Sequence, residues 1–147
     1  MKLSNDFNWC EFTASETALK KGIPNTPAPW QKENIERLVL NLLQPVRDLL
    51  DIPLTITSGF RSSELNKAVG GSPSSQHCTG EAADLKCENN KLLFDTIRQN
   101  FYFDQLIWEF GDDSQPAWVH VSLKEQGNRG EALRAVKEKG KTKYIRL

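Results

Sequence analysis

The longest patterned stretch of the chain runs from Trp30 to Asp51. Within it Ile35, Leu38, Val39, Leu42, Leu43, Val46, Leu49 and Leu50 recur at three- and four-residue steps. That period gathers apolar side chains onto one face of a helix, and such a face is stable only when another layer covers it. Pro45 interrupts the run. It has no N–H to donate and its ring crowds the carbonyl four residues back, so a kink or a split is expected near Asn41.

The covering layer is foreshadowed downstream. Leu54-Thr55-Ile56-Thr57 alternates and is β-branched, and residues 82–86, Gln105–Glu109 and Ala117–Leu123 also read as strands. Ser62 is placed to cap a short helix through Val69 that Gly70-Gly71 ends, and residues 89–100 carry a second amphipathic helix with Leu92, Leu93, Phe94 and Ile97. Near the N-terminus, Glu11 to Lys21 reads as one short helix stopped by Gly22, followed by a proline-rich connector, Ile23 to Pro29. The tail from Glu131 has helical propensity up to Lys139. Its last residues alternate, which favours a hairpin turning at Lys139-Gly140-Lys141. Helices first and strands later predict an α+β domain, N-terminal helices packed on a small, mostly antiparallel sheet.

At 147 residues the chain has the size of a single domain, 1–147. Nineteen Lys and Arg balance nineteen Asp and Glu, so no basic excess points to nucleic acid, and no apolar run is long enough for a membrane span. Three cysteines, Cys10, Cys78 and Cys87, form no disulfide framework. Their spacing matches no usual metal-ligand pair, and small apolar roles are expected for Cys78 and Cys87. The N-terminal residues lack a secretory apolar stretch, which predicts synthesis in a reducing cytosol.

The chain has only two histidines, His77 and His120. His77 precedes Asp84 by seven positions. Their Cα atoms would lie roughly 23 Å apart along a straight strand, or roughly 10 Å apart along a helix axis. One ion can bind both only if the chain doubles back between them, and Gly80 is the residue best able to permit that turn. His120 lies in Trp118-Val119-His120-Val121-Ser122, where strand alternation puts Trp118, His120 and Ser122 on one face. Two histidines and one carboxylate, with a fourth position left to water, form a catalytic zinc pattern. A histidine outside such a context is usually a surface or satisfied core residue, so spacing by itself is a weak indication.

The residues Ser75, His77, Gly80, Ala82 and Asp84, followed by the Trp118–Ser122 strand, resemble the signature of the zinc D-alanyl-D-alanine carboxypeptidase family of peptidoglycan peptidases. That family includes phage endolysins and is related in fold to vancomycin-resistance dipeptidases and the hedgehog signalling domain. The resemblance extends to Ile56–Ser62, to Leu65-Asn66 through Ser72, to Phe103–Ile107, and to the early Phe12-Thr13 and Asn25-Thr26-Pro27 segments.

It implies a hedgehog/DD-peptidase-like fold and one zinc ion on His77, Asp84 and His120. Arg61 resembles the arginine that holds a substrate carboxylate or carbonyl, and Ser75 the serine that bonds substrate or the ligand loop. The general base is less plain. Ala117 stands three positions before His120, so a Glu-x-x-His is absent; Glu109, at the end of a strand, takes the role by resemblance, with Asp112 and Asp113 as alternatives in a loop. Trp108 and Trp118 are candidates for the cleft wall or the core. The implied activity is hydrolysis of a peptidoglycan stem peptide or cross-link, as a carboxypeptidase or an endopeptidase. The expected setting is a monomeric phage or prophage lysin, made in the host cytoplasm and acting on the wall after release. The alternative is a non-catalytic zinc module that binds a wall peptide or a protein partner.

Overall fold

In the computed structural model, which describes residues 1–147, the patterned stretch forms helix α3 (Pro29–Leu38), a wide π turn (Val39–Leu43) and helix α4 (Gln44–Leu50). The split falls around Asn41, as Pro45 demands. The Gln44 N–H reaches back to the Val39 carbonyl, so the chain accommodates the proline by taking up one extra residue in a turn. That residue rotates the apolar stripe. Ile35, Leu38, Val39, Leu42, Leu43 and Val46 are fully buried. The face then continues through Leu50, and Leu49 is left 58 % exposed, against the periodic expectation.

The N-terminal segment is also divided. Helix α1 (Trp9–Thr13) ends at Ala14, whose backbone is extended, and Ser15 caps α2 (Glu16–Lys21) by accepting from the Ala18 N–H. A serine hydroxyl competing for the backbone restarts the helix where propensity predicts continuity. Gly22, in the left-handed region, ends α2 as expected. The break lets Phe12 turn into the core while its carbonyl accepts from the Phe60 N–H at 2.7 Å.

The strands are β1 (Thr55–Ser58), β2 (Ala82–Lys86), β3 (Gln105–Glu109), β4 (Trp118–Ser122), β5 (Glu131–Glu138) and β6 (Lys141–Arg146). They form one sheet in the order β1-β2-β4-β3-β5-β6, antiparallel throughout except for the β3–β5 pair. Helix α5 (Ser63–Ala68), capped by Ser62, lies between β1 and β2, and α6 (Asn90–Asn100) between β2 and β3. The tail is a hairpin: Lys139 and Gly140 both take positive φ, the turn geometry that suits the twist of two antiparallel strands. The fold is α+β.

Alternation divides the sheet chemically. Ala83, Leu85, Leu106, Trp108, Val119 and Val121 face the helices and complete the core. The intervening residues, among them Asp84, Ile107, Glu109 and His120, face the other way, and that side carries the polar cleft.

Candidate metal centre and its cleft

The cross-strand register places Ser58, Asp84, His120 and Ile107 side by side on neighbouring strands. A bulge between Ile56 and Ser58 brings Ser58 opposite Asp84. His77 arrives from the loop before β2. That loop doubles back at Gly80, whose φ is +81°; a Cβ there would sit 2.6 Å from the Gln31 carbonyl oxygen. Close approach is needed because α3 holds the loop directly: Gln31 Nε2 donates to the Cys78 carbonyl at 3.0 Å and Asn34 Nδ2 to the Thr79 carbonyl at 2.9 Å.

His77 Nε2 lies 3.3 Å from Asp84 Oδ1, and His120 Nδ1 lies 3.0 Å from the same oxygen. The ligand atoms of all three side chains fall within 4.8 Å of one another. Ligand bonds of about 2.0–2.1 Å at tetrahedral angles separate ligand atoms by about 3.3 Å, and the two spacings to Asp84 Oδ1 are of that size. The other ring nitrogen of His77, Nδ1, is 2.7 Å from the Gly59 carbonyl. A proton held there leaves Nε2 with its lone pair toward the cleft, the arrangement expected of a metal-ligating imidazole. All three residues are buried, and a buried donor set of two imidazoles and one carboxylate could hold a metal ion. Burial alone would raise the Asp84 pKa, but with no metal bound, hydrogen bonds from protonated His120 and His77, with their charge, outweigh it and hold the carboxyl well below its usual range.

Glu109 is buried in the same cleft, at the end of β3 and opposite Trp118. Burial pushes its pKa up to about 7; His120 opposes the shift and Asp84 adds to it. Its carboxyl is therefore poised to gain and lose a proton near neutrality. Arg61 is fixed beside Asp84: Nε donates to Ser58 Oγ at 3.2 Å, one terminal nitrogen to Asn66 Oδ1 at 3.1 Å, and the other lies 3.8 Å from Asp84 Oδ2. Ser75 lines the cleft and its hydroxyl accepts from the His77 N–H at 3.2 Å, which orders the loop that carries His77. Trp118 lines the cleft against Phe110, with ring centroids 5.5 Å apart, whereas Trp108 belongs to the core.

Asp112 and Asp113 lie outside the cleft. Asp112 accepts from Ser114 and Gln115 in its own loop, and Asp113 pairs with Arg134 at 2.6 Å. Cys78 and Cys87 are half-buried thiols with no part in the cluster, and burial pushes both pKa values up.

The cleft, about 880 Å³, includes residues the sequence did not single out. One group is a hub around Asp104, which is fully buried, accepts from Gln76 Nε2 and is gripped by Arg129 through its backbone N–H, Nε and a terminal nitrogen. Those bonds from Arg129 are the main reason the Asp104 pKa falls to about 2. The other group is the tail hairpin, which contributes Leu133, Lys137, Thr142 and Tyr144. The tail's alternation hinted at a face. Only the non-local pairing of β5 with β3 turns that face toward His77, Asp84 and His120.

Residues 5–122 match the Peptidase M15 family. The chain belongs to that family. No curated protein matches it. The M15 match spans Arg61, His77, Asp84, Glu109 and His120 and ends before the tail hairpin. The M15 family is one of metallopeptidases, so this chain is a peptidase with a cluster suited to a metal ion.

Proposed function

We propose that this M15 peptidase is a zinc enzyme that hydrolyses peptide bonds in bacterial peptidoglycan, in a stem peptide or a cross-link. The observation that carries the mechanism is the convergence of His77, Asp84 and His120 with Glu109 and Arg61 in one cleft. The wall substrate rests on the signature Ser75, His77, Gly80, Ala82, Asp84 and the Trp118–Ser122 strand.

Zinc bound by His77, Asp84 and His120 would supply Lewis acidity, activating a water and polarising the scissile carbonyl. Glu109 takes the proton from the attacking water and returns it to the leaving amine; a carboxyl held near neutrality suits both transfers. Arg61, held by Ser58 and Asn66, presents its guanidinium to the substrate carbonyl or carboxylate and offsets the negative charge that develops there. Ser75 keeps the ligand loop in place, and Trp118 offers an apolar wall to the substrate chain. A non-catalytic module would have no use for a buried, proton-accepting Glu109 beside its ligands, so hydrolysis is preferred. In biological terms the proposal is a phage or prophage lysin, made in the cytoplasm and reaching the wall on release.

Purified peptidoglycan incubated with the zinc-loaded protein should yield new free amines, and a chelator should prevent them. No amine release from any wall preparation would reject the substrate. Amine release that survives complete chelation would reject the metal.

A further inference from the structure

The hairpin β5–β6 lies after the span matched to the family, yet it forms one wall of the cleft. Its position follows from register. Glu109 on β3 pairs with Ala135 on β5, and Ala135 with Tyr144 on β6. Ala135, between them in the register, is small and fully buried. Lys137, two residues along β5 from Ala135, shares its face and pairs with Thr142. By strand spacing and residue rise, the Lys137 Cα is roughly 8 Å from that of Glu109.

The cations of the cleft are not equivalent. Arg129 is committed to Asp104, and Arg61 is anchored by Ser58 and Asn66 at the edge of Asp84, on the reacting carbonyl's side of the cleft. Lys137 has no carboxylate partner: its ammonium reaches the Thr142 hydroxyl at 3.3 Å and lies 5.4 Å from the Phe110 ring. Tyr144 also lines the cleft, with 54 % of its surface exposed, and what burial it has, together with the charges of Glu109 and Asp84, raises its pKa.

Direction comes from the chemistry. Glu109 returns its proton to the departing amine, so the fragment bearing that amine lies on the Glu109 side. Beyond Glu109 comes the hairpin. We propose that the inner face of hairpin β5–β6 is the subsite for the departing fragment, with Lys137 pairing with a carboxylate of that fragment and Tyr144 packing beside it. The subsite rests on the peptidase mechanism proposed above. Its carboxylate has two possible sources. A free C-terminus would make the enzyme a carboxypeptidase at this cleft; a side-chain carboxyl within a longer fragment would make it an endopeptidase.

The test uses one wall-derived stem peptide in three forms: all carboxyls free, only the terminal carboxyl amidated, and only the side-chain carboxyls amidated. KM and kcat are measured on the zinc-loaded wild type, and Kd on zinc-loaded Glu109→Gln, which binds without turnover. One of the two amidations should raise KM and Kd about tenfold, the loss expected for a charge-assisted contact, and which one does so identifies the source. In Lys137→Met that discrimination should vanish. It should persist in Lys139→Met, whose substitution lies in the turn outside the cleft. Tyr144→Ala should weaken binding of all three forms. The subsite is overturned if neither amidation matters, if amidation matters equally in wild type and Lys137→Met, or if no form binds. Discrimination in binding with no cleavage by wild type would instead overturn the peptidase mechanism and leave the carboxylate subsite standing.

Discussion

Replacing Glu109 by glutamine should make the metal-free protein more stable, and only above mildly acidic pH. Burial raises the Glu109 pKa from 4.5 to about 7, so the fold prefers the neutral acid. Below about pH 4.5 both folded and unfolded chains hold the proton, and the residue costs nothing on this account. As pH rises past that point the unfolded chain ionises freely while the folded chain resists. The penalty is complete above pH 7. A shift of about 2.5 pKa units corresponds to about 3 kcal/mol. Glutamine keeps the shape, removes the charge and escapes the penalty. Urea unfolding of chelator-treated protein would read the difference. With a slope of about 2 kcal/mol per molar urea, the Glu109→Gln midpoint should exceed wild type by about 1.5 M at pH 8. The two should nearly coincide at pH 4.5. A variant no more stable than wild type at pH 8, or equally stabilised at both pH values, would refute the claim that burial raises the Glu109 pKa.

Other substitutions probe the supports of the site. Asp104→Asn should cost about 2 kcal/mol at neutral pH, because the wild-type carboxyl is held at about 2 against an ordinary 3.8. That stability is present above about pH 4 and disappears as pH falls through about 2, so urea midpoints of the two proteins should converge in acid. Gly80→Ala introduces a Cβ 2.6 Å from the Gln31 carbonyl at φ +81° and should cost at least about 1–2 kcal/mol, seen as a lower thermal midpoint together with weaker zinc binding. In zinc-loaded protein, Glu109→Gln should retain the ion while kcat on wall peptides falls at least about a hundredfold; full activity would remove Glu109 from the mechanism.

The local parts of this structure were legible in the sequence because they depend on near neighbours. Ser62 caps α5 through its hydroxyl, Pro45 divides the long helix and Gly80 turns the loop that follows His77, each by the local chemistry of one residue. The alternation of Trp118 to Ser122 put His120 on the face opposite Val119 and Val121, where the sheet has it. Non-local features were hidden. The extra residue in the π turn moved Leu49 out of the apolar face, and no periodic count foresees that. That Asp112 and Asp113 bond within their loop and to Arg134 instead of lining the cleft depends on side-chain contacts that no sequence pattern shows. The contribution of Lys137 and Tyr144 depends on β5 pairing in parallel with β3, a choice made by the whole sheet.

Zinc titration of chelator-stripped protein, followed calorimetrically for the wild type and for His77→Ala, Asp84→Ala and His120→Ala, tests the three-ligand centre most directly. One zinc per wild-type chain is expected, with binding abolished or weakened by orders of magnitude in each variant. A wild type that binds no zinc, or variants that bind it as tightly as wild type does, would contradict a metal centre built from these three side chains.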